Sequence, residues 1–200
     1  MSALQLFGAV AVPEKDRGGS KGEGALVERL RRAYPAALGA VYDQHHAAVR
    51  AFARRLIGED AAAEDLVHEV FVSLPGAARR FQGNSSLRTF LIAIAVNHAR
   101  HHLRSASRNH AAMARFAEEP GAHVQDPEHL AQRASLARAL AHAMDALPLD
   151  QRVAFVLSEV DGYTSREAAE ITGAPQATVR TRVFHARQKL RAMLEQQGIR

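Results

Sequence analysis

The sequence predicts an all-α protein: two small helical domains joined by a flexible linker, the second a helix-turn-helix. Three observations carry this expectation. Alanine occurs 40 times in 200 residues while aromatics make up only 6%, a composition weighted toward helix formers. Apolar residues recur at three- and four-residue steps along most of the chain, and no segment alternates with period two for long enough to be a strand. Between residues 106 and 127 the apolar pattern thins, with Glu118-Glu119-Pro120-Gly121 and Asp126-Pro127 as punctuation.

Taken in order, residues 1–24 hold Pro13 and a glycine-rich stretch without periodicity, and read as a flexible tail. A helix starts near Pro35, a residue suited to a first turn, and carries Leu38, Val41, Tyr42, Val49, Phe52, Ala53 and Leu56 as a stripe. Gly58 breaks it after Ile57. A second helix is expected from about Ala61 to Leu74, with Leu66, Val67, Val70, Phe71 and Leu74 inward and Pro75-Gly76 as its stop. The loop that follows contains Gly83-Asn84-Ser85-Ser86, where Asn84 or Ser85 suits the N-cap of a third helix from Leu87 to about Ser105. Beyond a linker that is partly helical near Ala111 to Phe116, helices are expected over Glu128 to Ala146 and from Pro148 to near Asp161-Gly162. Two more cover Ser165 to Thr172 and Gln176 to about Glu195. The expected division is tail 1–24, first domain 25–105, linker 106–127 and second domain 128–200.

Composition bounds the function. The chain is 47% hydrophobic and its mean hydropathy is −0.21, enough apolar material for a core. With no cysteine there is no disulfide framework and no thiolate zinc site, which suits a reducing cytoplasm. The longest apolar run, Phe90 to Val96, is far short of the ~20 residues of a spanning helix. No basic-then-apolar signal pattern opens the chain, so the expectation is a cytoplasmic protein without membrane insertion.

The net charge is only +5, but its distribution is uneven. Glu59, Asp60, Glu64, Asp65 and Glu69 crowd one short stretch that has no lysine or arginine. From Val70 to Ala117 there is no carboxylate at all, and Arg79, Arg80, Arg88, Arg100, Arg104, Arg108 and Arg115 fall in that interval. A second acid-free block, Ile171 to Leu194, holds Arg180, Arg182, Arg187, Lys189 and Arg191. Two separated basic blocks suggest two contacts with a polyanion.

The segment from Thr164 to Leu190 is the most informative. Thr164 and Glu167 have capping-box spacing, Ala169 is small where a second helix must cross, and Gly173 supplies a left-handed turn. Val179 then places a branched residue against the first helix, completing a helix-turn-helix. With Val179, Val183, Ala186 and Leu190 inward, Thr178, Arg180, Thr181, Arg182, Phe184, His185 and Arg187 face elsewhere. That surface offers donors and positive charge without an acid, as a major groove requires.

In the first domain Asp65 and Glu69 stack on one helix face beside His68. Such a pair is a solvated face, acid–base machinery, or an acidic patch for a basic protein partner. Phe81, Asn84, Ser85 and Ser86 stand near Arg88, Asn97, Arg100, His101 and Arg104, the residue types that hold splayed bases of a single strand. His98, His101 and His102 have helical metal-ligand spacing but no acid close in sequence, so neither a metal nor a cofactor is expected.

The stretches AAAEDLVHEVFVSLPGAARRFQGNSSLRTFLIAIAVNHARHHLR and MDALPLDQRVAFVLSEVDGYTSREAAEITGAPQATVRTRVFHARQKL together resemble the small bacterial sigma factors of the extracytoplasmic-function group. The resemblance covers roughly residues 34–105 and 135–195, in the family's order. It implies a promoter-specificity subunit and no enzyme, with core RNA polymerase and promoter DNA as partners. The DNA is duplex upstream and single-stranded on the non-template strand, and an anti-sigma factor is a further expected partner. Asp65, His68 and Glu69 match the patch that docks on the polymerase, and Phe81 to Ser86 with Asn97, Arg100 and His101 match the surface that melts and reads the minus-ten element. Arg180, Thr181, Phe184 and His185 match the helix that reads the minus-thirty-five element. The linker is too short for the extra middle domain of housekeeping sigma factors. Three positions depart from the family: His68 is usually glutamine, Pro75 often tryptophan and His185 often arginine. Pro75 is therefore expected to stop its helix early. The competing class is a stand-alone helix-turn-helix regulator with a helical sensor domain, which has no need of a long arginine-rich, carboxylate-free stretch.

Overall fold

The computed structural model of the chain describes residues 21–32, 34–110 and 127–198. The first twenty residues of the expected tail lie outside that set, as does linker segment 111–126 with its expected partial helix near Ala111 to Phe116. Among the described residues the secondary structure is entirely helical. The first lobe holds α1 (Lys21–Arg31), α2 (Pro35–Ile57), α3 (Asp60–Ala78) and α4 (Leu87–His110). The second holds α5 (Pro127–Asp145), α6 (Leu149–Phe155), a π-helical turn (Val156–Val160), α7 (Ser165–Thr172) and α8 (Gln176–Gln196). No helix of the described residues is long and apolar enough to cross a membrane.

In the first lobe α2, α3 and α4 pack mutually, burying Val41, Phe52, Leu56, Leu66, Val70, Leu74, Leu91 and Val96. Each such side chain withdrawn from water contributes about 1.5–3 kcal/mol before the entropy of ordering it. Gly58 ends α2 at φ +81, a conformation that favours glycine.

Four boundaries correct the sequence reading. The expected tail ended at residue 24, yet α1 begins at Lys21 and packs on α2 and α3 through buried Val27 and Leu30. Pro75 was expected to stop the second helix, but α3 carries it internally and continues to Ala78. The missing amide costs a helical bond. Burial of Leu74 and Ala78 on either side offsets that loss, and Arg31 satisfies the helix end by donating to the carbonyls of Ala78 and Phe81. The third correction is the cap of α4. Ser86 makes it, its Oγ accepting from the Thr89 amide at 3.2 Å, in place of the expected Asn84 or Ser85. The helix also runs to His110, past the expected end near Ser105.

In the second lobe the capping box closes as the sequence predicts. Thr164 Oγ1 accepts from the Glu167 amide, and Glu167 Oε2 accepts from the Thr164 amide. Gly173 adopts φ +66 at the turn into α8. Ala168 is the alanine fully buried at this crossing; Ala169 is half-buried. Val179, Ala186 and Leu190 anchor α8, which packs on α5, α6 and α7. The two lobes touch. Helix α4 packs on α7 and α6, and α2 meets the π-helical turn, so one hydrophobic cluster spans both.

Candidate nucleic-acid and polymerase interface

On α3, Asp65 and His68 are exposed, while Glu69 leans onto α4. Its Oε2 lies 3.2 Å from His98 Nδ1 and 2.9 Å from His102 Nε2. His98 Nε2 in turn meets Ser73 Oγ at 3.0 Å. Serine, histidine and carboxylate stand here in nucleophile–base–acid order, but Ser73 is mid-helix and also bonds the Val70 carbonyl. Backbone amides there are used by the helix, so no pair is free to hold an oxyanion. The histidine cluster is split, because His98 and His102 turn to Glu69 while His101 stays exposed. Among the described residues no group of three or more His, Asp or Glu could hold a metal ion.

Beside this acidic face lies a groove of about 530 Å³ between α2 and α3, lined by Leu38, Tyr42, Val67, His68, Phe71 and Val72. Tyr42 is 41% exposed and Val72 65%. The apolar periodicity placed Tyr42 in the core stripe; the structure puts it on the stripe's open edge, against Phe71 and His46.

The expected strand-capture residues separate into three groups. Asn84, Asn97 and His101 are exposed, with Ser85 and Ser86 half-exposed beside them. Phe81 was expected to face DNA but is only 8% exposed, its ring tilted against that of Phe90 with centroids 4.7 Å apart. A lone aromatic in a loop is drawn into the core when a partner ring is available, which removes it from base stacking. Arg88 and Arg100 are half-buried and turn toward the second lobe, and the side chain of Arg104 lies outside the described residues. Arg100 donates from Nε to Asp150 Oδ1 at 3.1 Å and from Nη1 to the Thr172 carbonyl at 3.0 Å.

Along α8 the exposed residues are Arg180, Thr181, Phe184 and His185, with Thr178 half-buried at the start. Phe184 is 57% exposed and lies edge-on to the His185 ring. Thr181 Oγ1 bonds the Ala177 carbonyl and Arg180 reaches Gln176, both local contacts that leave the face open. Arg187 pairs with Glu159 at 2.6 Å, and Arg182 turns inward to Asp150 Oδ2.

Sequence reasoning missed the acids that engage these arginines. Asp150 and Asp161 both sit in the second lobe. Asp161, beside the π-helical turn, pairs with Arg55 of α2. Burial holds its carboxyl above the usual aspartate value, and Arg55 and Arg88 pull it only partly back. Burial likewise pushes the Tyr163 phenol up, with Arg88 opposing. The wider π turn makes this possible: Asp161 donates its amide to the Val156 carbonyl, five residues back. An isolated Asp in a helical hairpin gives no sequence signal of a partner 106 positions away.

Comparison with known proteins gives a consistent result. The sigma-70 region 2 model matches residues 41–109 and a sigma-70 region 4 model matches residues 137–190. The ECF RNA polymerase sigma-E factor of Haemophilus influenzae is 30% identical over 174 residues, 83% of this chain and 92% of that one. The Escherichia coli protein of the same name is 31% identical over 173 residues, covering 82% and 90%. Among solved structures, the sigma factor RpoE of Bartonella quintana, in complex with the anti-sigma factor NepR, superposes with a TM-score of 0.62. It is 26% identical and covers 78% of this chain and 96% of that one. CnrH, in complex with the cytosolic domain of CnrY, gives a TM-score of 0.61 at 25% identity, covering 86% and 96%. An acidic-then-acid-free helical lobe followed by a capped helix-turn-helix, matched in that order by both sigma-70 regions, has one family reading: the chain belongs to the sigma-70 family, among its extracytoplasmic-function (ECF) sigma factors.

Proposed function

We propose that this chain is a promoter-specificity subunit that binds core RNA polymerase, recognises promoter DNA through both lobes and helps open it. The observation that carries the reading is the exposed face of α8, where Arg180, Thr181, Phe184 and His185 stand clear on a helix-turn-helix with no acid among them. In a major groove, arginine forks onto guanine or phosphate, and the only apolar base edge available to Phe184 is a thymine methyl. This helix anchors the upstream duplex. The first lobe then holds unstacked bases of the non-template strand through Asn97 and His101 on α4 and Asn84, Ser85 and Ser86 in the preceding loop. Contact energy gained on each captured base offsets part of the cost of opening the duplex.

Polymerase docks on α3 through Asp65, His68 and Glu69, and the adjoining groove with Tyr42 and Val72 supplies apolar area beside the charges. The lobes act as units, and the segment that joins α4 to α5 threads through the polymerase. The chain works by binding, the polymerase supplying the chemistry, and its place is the cytoplasm. An anti-sigma partner fits as well, since the similar RpoE was solved with the anti-sigma factor NepR.

The deciding experiment is abortive initiation with purified core polymerase on genomic promoter fragments. Short transcripts that require both core enzyme and this chain support the reading. A dimer that binds symmetric half-sites and leaves initiation unchanged would place the chain among stand-alone regulators.

A further inference from the structure

Two histidines of α4 converge on one carboxylate of α3. Glu69 Oε2 lies 3.2 Å from His98 Nδ1 and 2.9 Å from His102 Nε2, and the two rings stand one helical turn apart. The other nitrogen of His98, Nε2, meets Ser73 Oγ at 3.0 Å, and that hydroxyl donates to the Val70 carbonyl at 3.1 Å. A serine hydroxyl has one hydrogen, so with it on Val70 the oxygen is left to accept, and a carboxylate only accepts. Both nitrogens of His98 therefore face acceptors. This set of contacts is complete only when each nitrogen carries a hydrogen, which is the imidazolium form. The remaining titratable neighbours on these two helices, Asp65, His68 and His101, are exposed, and Arg100 of α4 turns away to Asp150. From the other helices packed on α3, Arg50 and Arg54 of α2 pair with Glu64 and Asp60, and Arg31 of α1 donates to the Ala78 carbonyl.

We propose that His98 and His102 are positioning residues for polymerase docking: protonated, they hold Glu69 against α4 and neutralise it, and neutral, they release it to a basic group of the polymerase. The proposal rests on the reading of Asp65, His68 and Glu69 as the docking patch. A histidine side chain changes charge in the physiological range, titrating at about 6.5 when free. Below that range, two ion pairs compete with the polymerase for one carboxylate. Above it, His98 has a single hydrogen for two acceptors and neither ring carries charge. Taking Glu69 away from protonated histidines releases protons, so affinity for polymerase rises with pH through the range. Glu69, His98 and His102 are 41%, 29% and 46% exposed, and pairs so open to solvent are individually weak. The effect is a graded adjustment of a few-fold in capture.

The test uses the full chain and purified core polymerase, with affinity measured at about pH 6 and about pH 8. Each variant is expressed as a ratio to wild type at the same pH, which removes the titration of the polymerase and of His68 from the comparison. His98→Gln/His102→Gln keeps side chains that hydrogen-bond and removes the titrating charge. It is expected to bind about threefold tighter than wild type at the lower pH and equally at the higher. Glu69→Ala is expected to weaken binding more at the higher pH than at the lower, where wild-type Glu69 is already withheld. His142→Gln, at an exposed position on α5, is the control and is expected to match wild type at both. Should the double variant fold poorly, His102→Gln alone changes the more exposed ring and carries the same direction of change. If Glu69→Ala weakens binding while the double variant matches wild type at both pH values, or binds more weakly at both, the positioning role is overturned and docking through Glu69 stands. If Glu69→Ala binds like wild type at both pH values, the docking patch itself is misassigned and the proposal falls with it.

Discussion

Arg152 donates from Nη1 to the carbonyl of Leu56 across 3.0 Å, joining residues 96 positions apart. Leu56 lies in the last turn of α2, where a helix presents unpaired carbonyls and the negative end of its dipole. The same guanidinium holds Asp145 Oδ1 at 2.9 Å and the Asp145 carbonyl at 2.6 Å. Burial pulls this arginine below its ordinary value and Asp145 pushes it back up. Removing it takes away three charge-assisted bonds, one of them between lobes. Arg152→Ala is expected to lower unfolding free energy by about 2 kcal/mol in urea, followed by circular dichroism. Arg152→Lys is not expected to restore it, because one ammonium cannot reproduce the fork.

The capping box of α7 fixes where the helix-turn-helix begins. Thr164→Ala is expected to cost about 1 kcal/mol, and Thr164→Ser to stay near wild type, since the serine hydroxyl accepts the same amide bond. Thermal unfolding of the full chain measures both.

Asp161 makes stability depend on pH in a defined direction. Its carboxyl is raised above 3.8 in the folded chain, so the folded state holds a proton there more tightly than the unfolded state. Its contribution is therefore complete below 3.8 and declines as pH rises through the folded value. The difference in unfolding free energy between wild type and Asp161→Asn is expected to fall as pH rises across that window. A series of urea titrations at stepped pH reads it, and a flat difference contradicts the assignment.

Asp65 is exposed and Glu69 is tied to His98 and His102. Asp65→Ala is expected to leave stability within about 0.5 kcal/mol while weakening capture of core polymerase. Glu69→Ala is expected to weaken capture as well, and to add a small stability loss by releasing the two histidines. Immobilised core enzyme and a dilution series of each variant separate the two effects.

Asn97 and His101 stand exposed on α4 with no structural bond to lose among those the structure shows. The double variant Asn97→Ala/His101→Ala is expected to keep polymerase binding and upstream duplex contact but to impair strand opening. Permanganate reactivity of thymines on a fully paired promoter is the readout, and a pre-melted bubble should rescue the defect. Wild-type reactivity on the paired template would remove α4 from strand capture.

Much of this protein is legible in the linear sequence because the relevant physics acts within a few residues. Apolar spacing marked α2, α3 and α8, the Thr164–Glu167 pair marked a helix start, and Gly173 marked a left-handed turn, all local events. The acid-free block around Arg180, Thr181 and Phe184 likewise follows from composition alone. Helix α1 escaped because two glycines weaken its intrinsic preference, and burial of Val27 and Leu30 on other helices supplies what the segment lacks. Pro75 was misread for the same reason in reverse: a local breaker is overruled by burial on both sides of it. Phe81 turned inward once Phe90 was there to meet it. The sequence also determined that Arg88, Arg100 and Arg182 carry charge, but not which anion each one meets. That was decided by tertiary packing, which brings Asp150 and Asp161 to arginines 32 to 106 positions away. Charges pair by distance in space, and no pattern along the chain encodes a distance that only packing creates.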